Sequence, residues 1–193
     1  MELKTKDLIL RFPKTEDIHE LEAFITRNEN HLAPWESKIE IPLAKLLSNW
    51  IQDMEEKRSV RFFLFHKDHP EHLIGMINFT QIFRGAFQAC YLGYKIDHAF
   101  QGKGHMFNAL KTGIEYMFEK EKIHRIMSNF LPRNKRSCAL LLRLGFSVEG
   151  YAKKYLKINN VWEDHILTSL SAEREANSLD QTIENLKKWE KTL

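Results

Sequence analysis

Two cysteines in 193 residues, Cys90 and Cys138, are too few for a disulfide framework or a four-cysteine metal site. Both lie in apolar stretches and read as small core residues. Long hydrophobic runs are lacking too: none approaches the ~20 residues of a membrane span. The opening residues, MELKTKDLILRFPKTED, carry charges where a secretory signal would have a continuous apolar core. A cytoplasmic protein with no membrane partner is the expectation. Nor is there an excess of one charge sign. The net +3 comes from well-mixed residues, too little to argue for nucleic-acid binding although compatible with an anionic cofactor. Glycine (8) and proline (5) are thinly spread, and no repeat or low-complexity linker divides the chain.

What is present is the mixture of one ordinary globular domain, 43% hydrophobic and 28% charged, long enough to bury a real core. Asp7–Phe12 alternates as a strand. Thr15–Asn28 places Ile18, Leu21, Phe24 and Ile25 at helical spacing, with Thr15 at the cap position. His31–Glu36 reads as a loop. Pro42–Glu56 is an amphipathic helix with Leu43, Leu46, Leu47, Trp50, Ile51 and Met54 on one face. Strands Arg61–Lys67 and Leu73–Ile82 are joined through Asp68–His72, and Phe87–Ile96 is a third strand. Then come a helix over Gly102–Lys120, a strand over Ile123–Phe130, and a helix over Asn134–Leu144 stopped by Gly145. Val148–Ile158 and Val161–Ser169 form a closing hairpin around Asn159-Asn160. Residues 173–193 read as an amphipathic helical extension with Leu179, Ile183, Leu186 and Trp189 on one stripe, following a domain over 1–172. This order is α+β (mixed α/β) and not a Rossmann alternation.

The most informative stretch is the strand end Tyr94-Lys95-Ile96, followed by the turn Gln101-Gly102-Lys103-Gly104 and a helix opening with His105-Met106. Glycines at a strand-to-helix turn, with no acidic residue in the helix's first turn, leave free N–H groups and the positive dipole end aimed at one spot. That is a recipe for a pyrophosphate cradle, although a plain turn explains a lone Gly-x-Gly equally well. The chain has neither the Gly-Lys-Ser/Thr of a nucleoside triphosphatase nor a dinucleotide fingerprint with its acidic partner. A second stretch, Pro132-Arg133-Asn134-Lys135-Arg136-Ser137, places Asn134 as an N-cap. Ser137 and Leu141 follow at one-turn spacings on the same face. His66, His69 and His72 cluster around the first hairpin without a cysteine partner, and read as surface histidines with no metal.

A set of strings running in order over residues 7–170 completes the picture. They include Pro34-Trp35-Glu36, Ile77-Asn78-Phe79, Tyr91-Leu92-Gly93-Tyr94, Gln101-Gly102-Lys103-Gly104, Asn134-Lys135-Arg136-Ser137, Arg143-Leu144-Gly145-Phe146 and Trp162-x-Asp164-His165. With these the sequence resembles the GNAT superfamily, and within it the RimJ/RimL branch of ribosomal-protein N-terminal acetyltransferases. The resemblance implies a GNAT fold: a twisted mixed sheet of about seven strands, splayed at the centre and flanked by helices. It implies acetyl-CoA as cofactor, held by Tyr94, Lys95, Ile96, Gln101, Gly102, Lys103, Gly104, His105 and Met106, with Asn134, Ser137 and Leu141 along the cofactor arm. It implies as acceptor an α-amino group, the N-terminal alanine of a ribosomal protein, with ribosome association. A small amine or antibiotic, or a non-catalytic assembly module, are the alternatives. A monomer or a homodimer is expected. Three positions depart from the wider pattern: Met106 is bulky, Leu141 stands where many relatives have a general-acid tyrosine, and Tyr91 where many have a glutamate base.

The chemistry fits those departures. An α-amine with a pKa of ~7.7–8.0 is about 10–20% neutral at pH 7, whereas lysine at ~10.4 is well below 0.1%. An N-terminal amine can therefore attack a thioester directly, through a tetrahedral intermediate, with little help from a base. Backbone N–H groups around Tyr94–Ile96 would stabilise the oxyanion. Ser137 is the candidate donor to the leaving thiolate, Asn134 the candidate orienting group, and Tyr155 a third catalytic candidate. Glu36, Asn78 and Asp164 are the candidates for handling the acceptor, each having a plain structural role as well.

Overall fold

The computed structural model describes residues 1–173. Twelve regular elements follow the order β1 (Glu2–Lys4), β2 (Leu8–Arg11), α1 (Ile18–Leu32), α2 (Leu43–Glu55), β3 (Val60–His66), β4 (His69–Phe83), β5 (Ala89–Ile96), α3 (His105–Glu119), β6 (Arg125–Phe130), α4 (Lys135–Arg143), β7 (Ser147–Ile158) and β8 (Val161–Ser171). They form one mixed sheet of order β1-β2-β3-β4-β5-β6-β8-β7. The described residues give eight strands where about seven were expected, the extra one being Glu2–Lys4, which pairs antiparallel with Ile9–Arg11. Three residues are too short to show a period in the sequence.

Apolar layers cover both faces of the sheet. On one face α1 and α2 bring Leu21, Phe24 and Leu47 onto Phe63, Phe65 and Met76. On the other, α3 and α4 bring Met106, Ala109, Leu110, Ile114 and Leu141 onto Phe62, Leu64, Ile77, Phe79 and Leu92. This explains why β3 is almost uniformly apolar: a strand covered on both sides has no water face to signal with polar residues.

Several boundaries shift, each through a tertiary contact. Thr15 does not cap α1; a short 3-10 turn, Thr15–Asp17, precedes the helix. There the Asp17 carboxylate accepts the Lys14 N–H and two bonds from Arg11. Helix α1 continues past Asn28 to Leu32 because Asn28, fully buried, is bonded to the loop that follows β5. The β3–β4 connection is tighter than expected, with His66 paired to His69. The β7–β8 turn is as expected: Asn159 and Asn160 both hold positive φ, as a two-residue hairpin turn requires. The helix expected over 173–193 lies, from residue 174 onward, outside the described residues. Among the described residues no helix is long and apolar enough to cross a membrane.

The feature that positions the site is the junction of β5 and β6. These parallel strands pair at Ala89–Arg125, Cys90–Ile126 and Tyr91–Met127, and then the ladder stops. At the fork the Ser128 hydroxyl donates to the Leu92 carbonyl at 3.1 Å, closing the paired part. Beyond it Leu92–Ile96 is held on its other side by β4, while its β6 side has no ladder partner among the described residues. Gly75 sets how closely β4 approaches this strand end: a Cβ there would meet the Lys95 carbonyl oxygen at 2.8 Å. Gly75→Ala is expected to cost roughly 1–3 kcal/mol by pushing the two strands apart, read as a lower urea midpoint.

Candidate active site

The strand end, the loop after it and the start of α3 form one built unit. Asp97 caps the 3-10 turn His98–Phe100 by accepting the Ala99 N–H, and it also accepts from Arg27 Nε and Asn28 Nδ2. Asn28 Oδ1 in turn accepts the His98 N–H at 3.0 Å. Burial would raise the Asp97 pKa, but the bonds from Arg27, Ala99 and Asn28 outweigh it and hold the carboxyl below its ordinary range. Further along, the Gln101 side chain touches His31 Nε2 and accepts from Arg136, tying α1 to α4 across the mouth of the gap.

This clamp sets the phosphate-loop geometry. Gly102 (φ 73°) and Gly104 (φ 78°) both occupy the left-handed region, where a side chain would be strained. A Cβ at either would meet nothing within 4 Å, so backbone conformation and not protein crowding demands glycine. Gly104 is the N-cap of α3, and the first helical bond runs from the Asn108 N–H to its carbonyl. The N–H groups of His105, Met106 and Phe107 therefore point out of the helix end. The first turn holds no acidic residue. The side chains of His105 and Met106 are buried, so only their amides can serve a ligand. The Lys103 ammonium lies over the Phe100 ring.

On the α4 side, Asn134 is the N-cap: its Oδ1 accepts the Ser137 N–H at 3.1 Å. Ser137 Oγ meets the Tyr94 hydroxyl at 2.7 Å, bridging the open end of the gap. Burial pushes Tyr94 up to about 12, with the Ser137 bond opposing, so the phenol keeps its proton. Leu141 was expected on the ligand surface. It is fully buried in the core and supports the helix from below.

The opposite face of β5 gathers the acceptor candidates. Glu36, from the segment between α1 and α2, forms an ion pair with Lys95. Asn78 stands beside Gly93 in the register and accepts from Arg61. Tyr155 packs on His165 with ring centroids 5.7 Å apart, and burial followed by the neighbouring Tyr91 raises its pKa. Asp164 does not join this group. It follows Glu163 and precedes His165 in β8, so it projects to the face opposite His165. There it accepts the Tyr151 hydroxyl and the Lys154 N–H, fastening a bulge in β7.

Four groups had no assigned role in the sequence reading. Arg61 and His31 gave no signal, and Arg136 and His165 were only parts of longer strings. His165 is buried, with Nδ1 3.0 Å from the Glu163 carbonyl. Burial holds its pKa below the usual range, so the ring is neutral at pH 7, and donation from Nδ1 leaves Nε2 able to accept a proton. Among the described residues no group of three or more His, Cys, Asp or Glu converges to hold a metal ion.

A family model for the acetyltransferase (GNAT) domain matches residues 7–147. The chain belongs to the GNAT acetyltransferase family. It is an N-acetyltransferase dependent on acetyl-CoA, with the splayed mixed sheet that the resemblance implied. The [ribosomal protein uS5]-alanine N-acetyltransferase of Escherichia coli (strain K12) is 43% identical over 176 residues, covering 88% of this chain and 90% of its own length. The crystal structure of the ribosomal-protein-S5-alanine acetyltransferase from Vibrio fischeri superposes with a TM-score of 0.85 at 35% identity. It covers 90% of this chain and 97% of that one. The microcin C7 self-immunity acetyltransferase MccE, solved with acetyl-CoA and AMP, gives a TM-score of 0.77 at 25% identity, covering 86% and 93%.

The loop geometry of the candidate site depends on the Asp97 clamp. Asp97→Ala leaves Arg27, Asn28 and the Ala99 N–H without their shared acceptor and is expected to cost about 2–3 kcal/mol, read by thermal or urea unfolding. Because the folded pKa is depressed, the wild-type advantage is complete at pH 7. It shrinks as pH falls below about 4 toward the lowered folded value.

Proposed function

We propose that this acetyltransferase modifies the N-terminal α-amino group of a ribosomal protein, with alanine as the first residue. The observation that carries this reading is the acceptor face of β5: Tyr91, Gly93 and Lys95 line it, and Lys95 holds the Glu36 carboxylate in an ion pair. An acceptor with a pKa near ~8 needs no strong base, whereas a lysine would. The activities printed for the Escherichia coli and Vibrio fischeri relatives are of this kind.

The residues present fit acetyl-CoA. The outward amides of His105, Met106 and Phe107, with Gly102 and Gly104 shaping the turn, suit the diphosphate, and the Arg136 guanidinium at the gap's mouth adds positive charge. The unpaired edge of Leu92–Ile96 suits the amide-bearing arm. Bound acetyl-CoA supplies an acetyl thioester, and this chain supplies orientation and proton handling. Backbone N–H groups on the open edge of β5 stabilise negative charge on the carbonyl oxygen. Tyr155, kept as a neutral phenol, relays the amine's proton toward His165. Ser137 donates to the departing sulfur, with the Tyr94 hydroxyl behind it. Asn134 acts by fixing the α4 start, its carbonyl oxygen already committed to the Ser137 N–H.

The test is an acetylation assay with peptides copying ribosomal-protein N-termini beside lysine-only peptides and small amines. Acetylation of alanine-starting peptides is expected to dominate, and preference for either control overturns the reading. For the donor, Ser137→Ala is expected to lower kcat about tenfold while acetyl-CoA affinity, measured by calorimetry, stays within about twofold. An unaltered kcat would mean that another group protonates the thiolate.

A further inference from the structure

Arg61 and Asn78 form a polar pair on the acceptor side of the sheet. The register sets Arg61 of β3 beside Asn78 of β4, and Asn78 beside Gly93 of β5, so the three share one row across the sheet. Arg61 is only 8% exposed, an unusual place for a guanidinium. It stacks 4.9 Å over the Trp50 ring of α2. Its Nε is buried without a partner among the described residues. The nearby carboxylate, Asp53, is bonded instead to Arg58. Among the described residues the one side-chain hydrogen bond of Arg61 goes from Nη1 to Asn78 Oδ1, at 2.9 Å.

That bond has a consequence for Asn78. A guanidinium has five donors and no acceptor, so it fixes which end of the amide faces it. The Asn78 oxygen is turned to Arg61 and the NH2 group is turned away. Asn78 is half-buried, no acceptor for its NH2 group occurs among the described residues, and the space over the neighbouring Gly93 is open. The row thus presents a donor pair, backed by a positive charge, beside the strand edge where the amine must arrive.

We propose that the Asn78 NH2 group binds the first carbonyl oxygen of the acceptor chain, and that Arg61 is the positioning residue that holds the amide in its donor orientation. The inference rests on the N-terminal acceptor reading, since an α-amine and its own carbonyl oxygen are separated by three bonds and can be gripped together. It names what distinguishes a peptide terminus from a plain amine: a carbonyl at fixed distance from the nitrogen. The Arg61 charge also disfavours the ammonium form of the bound amine, the form that cannot attack.

The experiment compares two probes by calorimetry on the CoA-loaded enzyme: an octapeptide beginning with alanine, and the same peptide with its first carbonyl oxygen replaced by sulfur, a weaker acceptor. Wild type is expected to bind the sulfur peptide about tenfold more weakly. Asn78→Asp keeps the size and pairs with Arg61, so the fold is retained, but it offers no donor. It is expected to bind the oxygen peptide about tenfold more weakly than wild type and to discriminate between the probes no longer. Arg61→Met frees the amide to flip and is expected to lose the same discrimination; if that variant does not fold, Asn78→Asp alone decides. Equal binding of both peptides by wild type, or discrimination that survives in Asn78→Asp, overturns the carbonyl contact while leaving the N-terminal acceptor reading in place. Failure of wild type to bind either peptide overturns both.

Discussion

The site depends on two parallel strands parting after three paired residues. Once β5 and β6 diverge beyond Tyr91 and Met127, the β5 edge past Leu92 keeps backbone donors and acceptors without a ladder partner among the described residues. Such groups are costly to leave dry, so the gap calls for a partner with its own amides or for water. The pantetheine arm of acetyl-CoA is an amide-bearing chain of suitable shape. Ser128 keeps the fork from opening further, since its hydroxyl reaches the Leu92 carbonyl while its own carbonyl accepts from Thr168 in β8. The split is a built feature of the sheet.

The loop at the mouth of the gap is fastened by α1. Arg27, Asn28 and His31, from the last turns of one helix, engage Asp97, His98 and Gln101 in succession. The loop between β5 and α3 is thereby a rigid shelf. On that shelf the helix dipole, the outward amides and Arg136 add up at one place with no carboxylate in the first turn of α3.

Alternation along β5 then separates the two sets of candidate residues. Leu92, Tyr94 and Ile96 face the α3–α4 layer, where Tyr94 meets Ser137. Tyr91, Gly93 and Lys95 face the α1–α2 layer, where Glu36, Asn78 and Tyr155 gather. A strand whose side chains point alternately to two faces can serve a donor on one side and an acceptor on the other, with the reacting atoms meeting at its edge.

The sequence by itself determined most local elements and the glycine turn that opens α3. Helical periods, the Asn159-Asn160 turn, the Gly102 and Gly104 positions and the absence of acid at the α3 start are local properties of neighbouring residues. They can be read because each physical cause lies within a few positions of its effect. The family strings added the splay and the cofactor. Partnerships over long separations were decided by the tertiary structure alone. Asn28 in mid-helix looked like a helix end until its bonds to Asp97 and His98, about seventy residues away, were seen. Asp164 looked available to an acceptor, and the β7 bulge claims its carboxylate. Leu141 shared a helix face with Ser137, and packing buried it. Arg61 gave no signal at all, because a buried charge on an apolar strand is recognised by what packs around it. Packing joins residues by distance in space, which spacing along the chain does not encode.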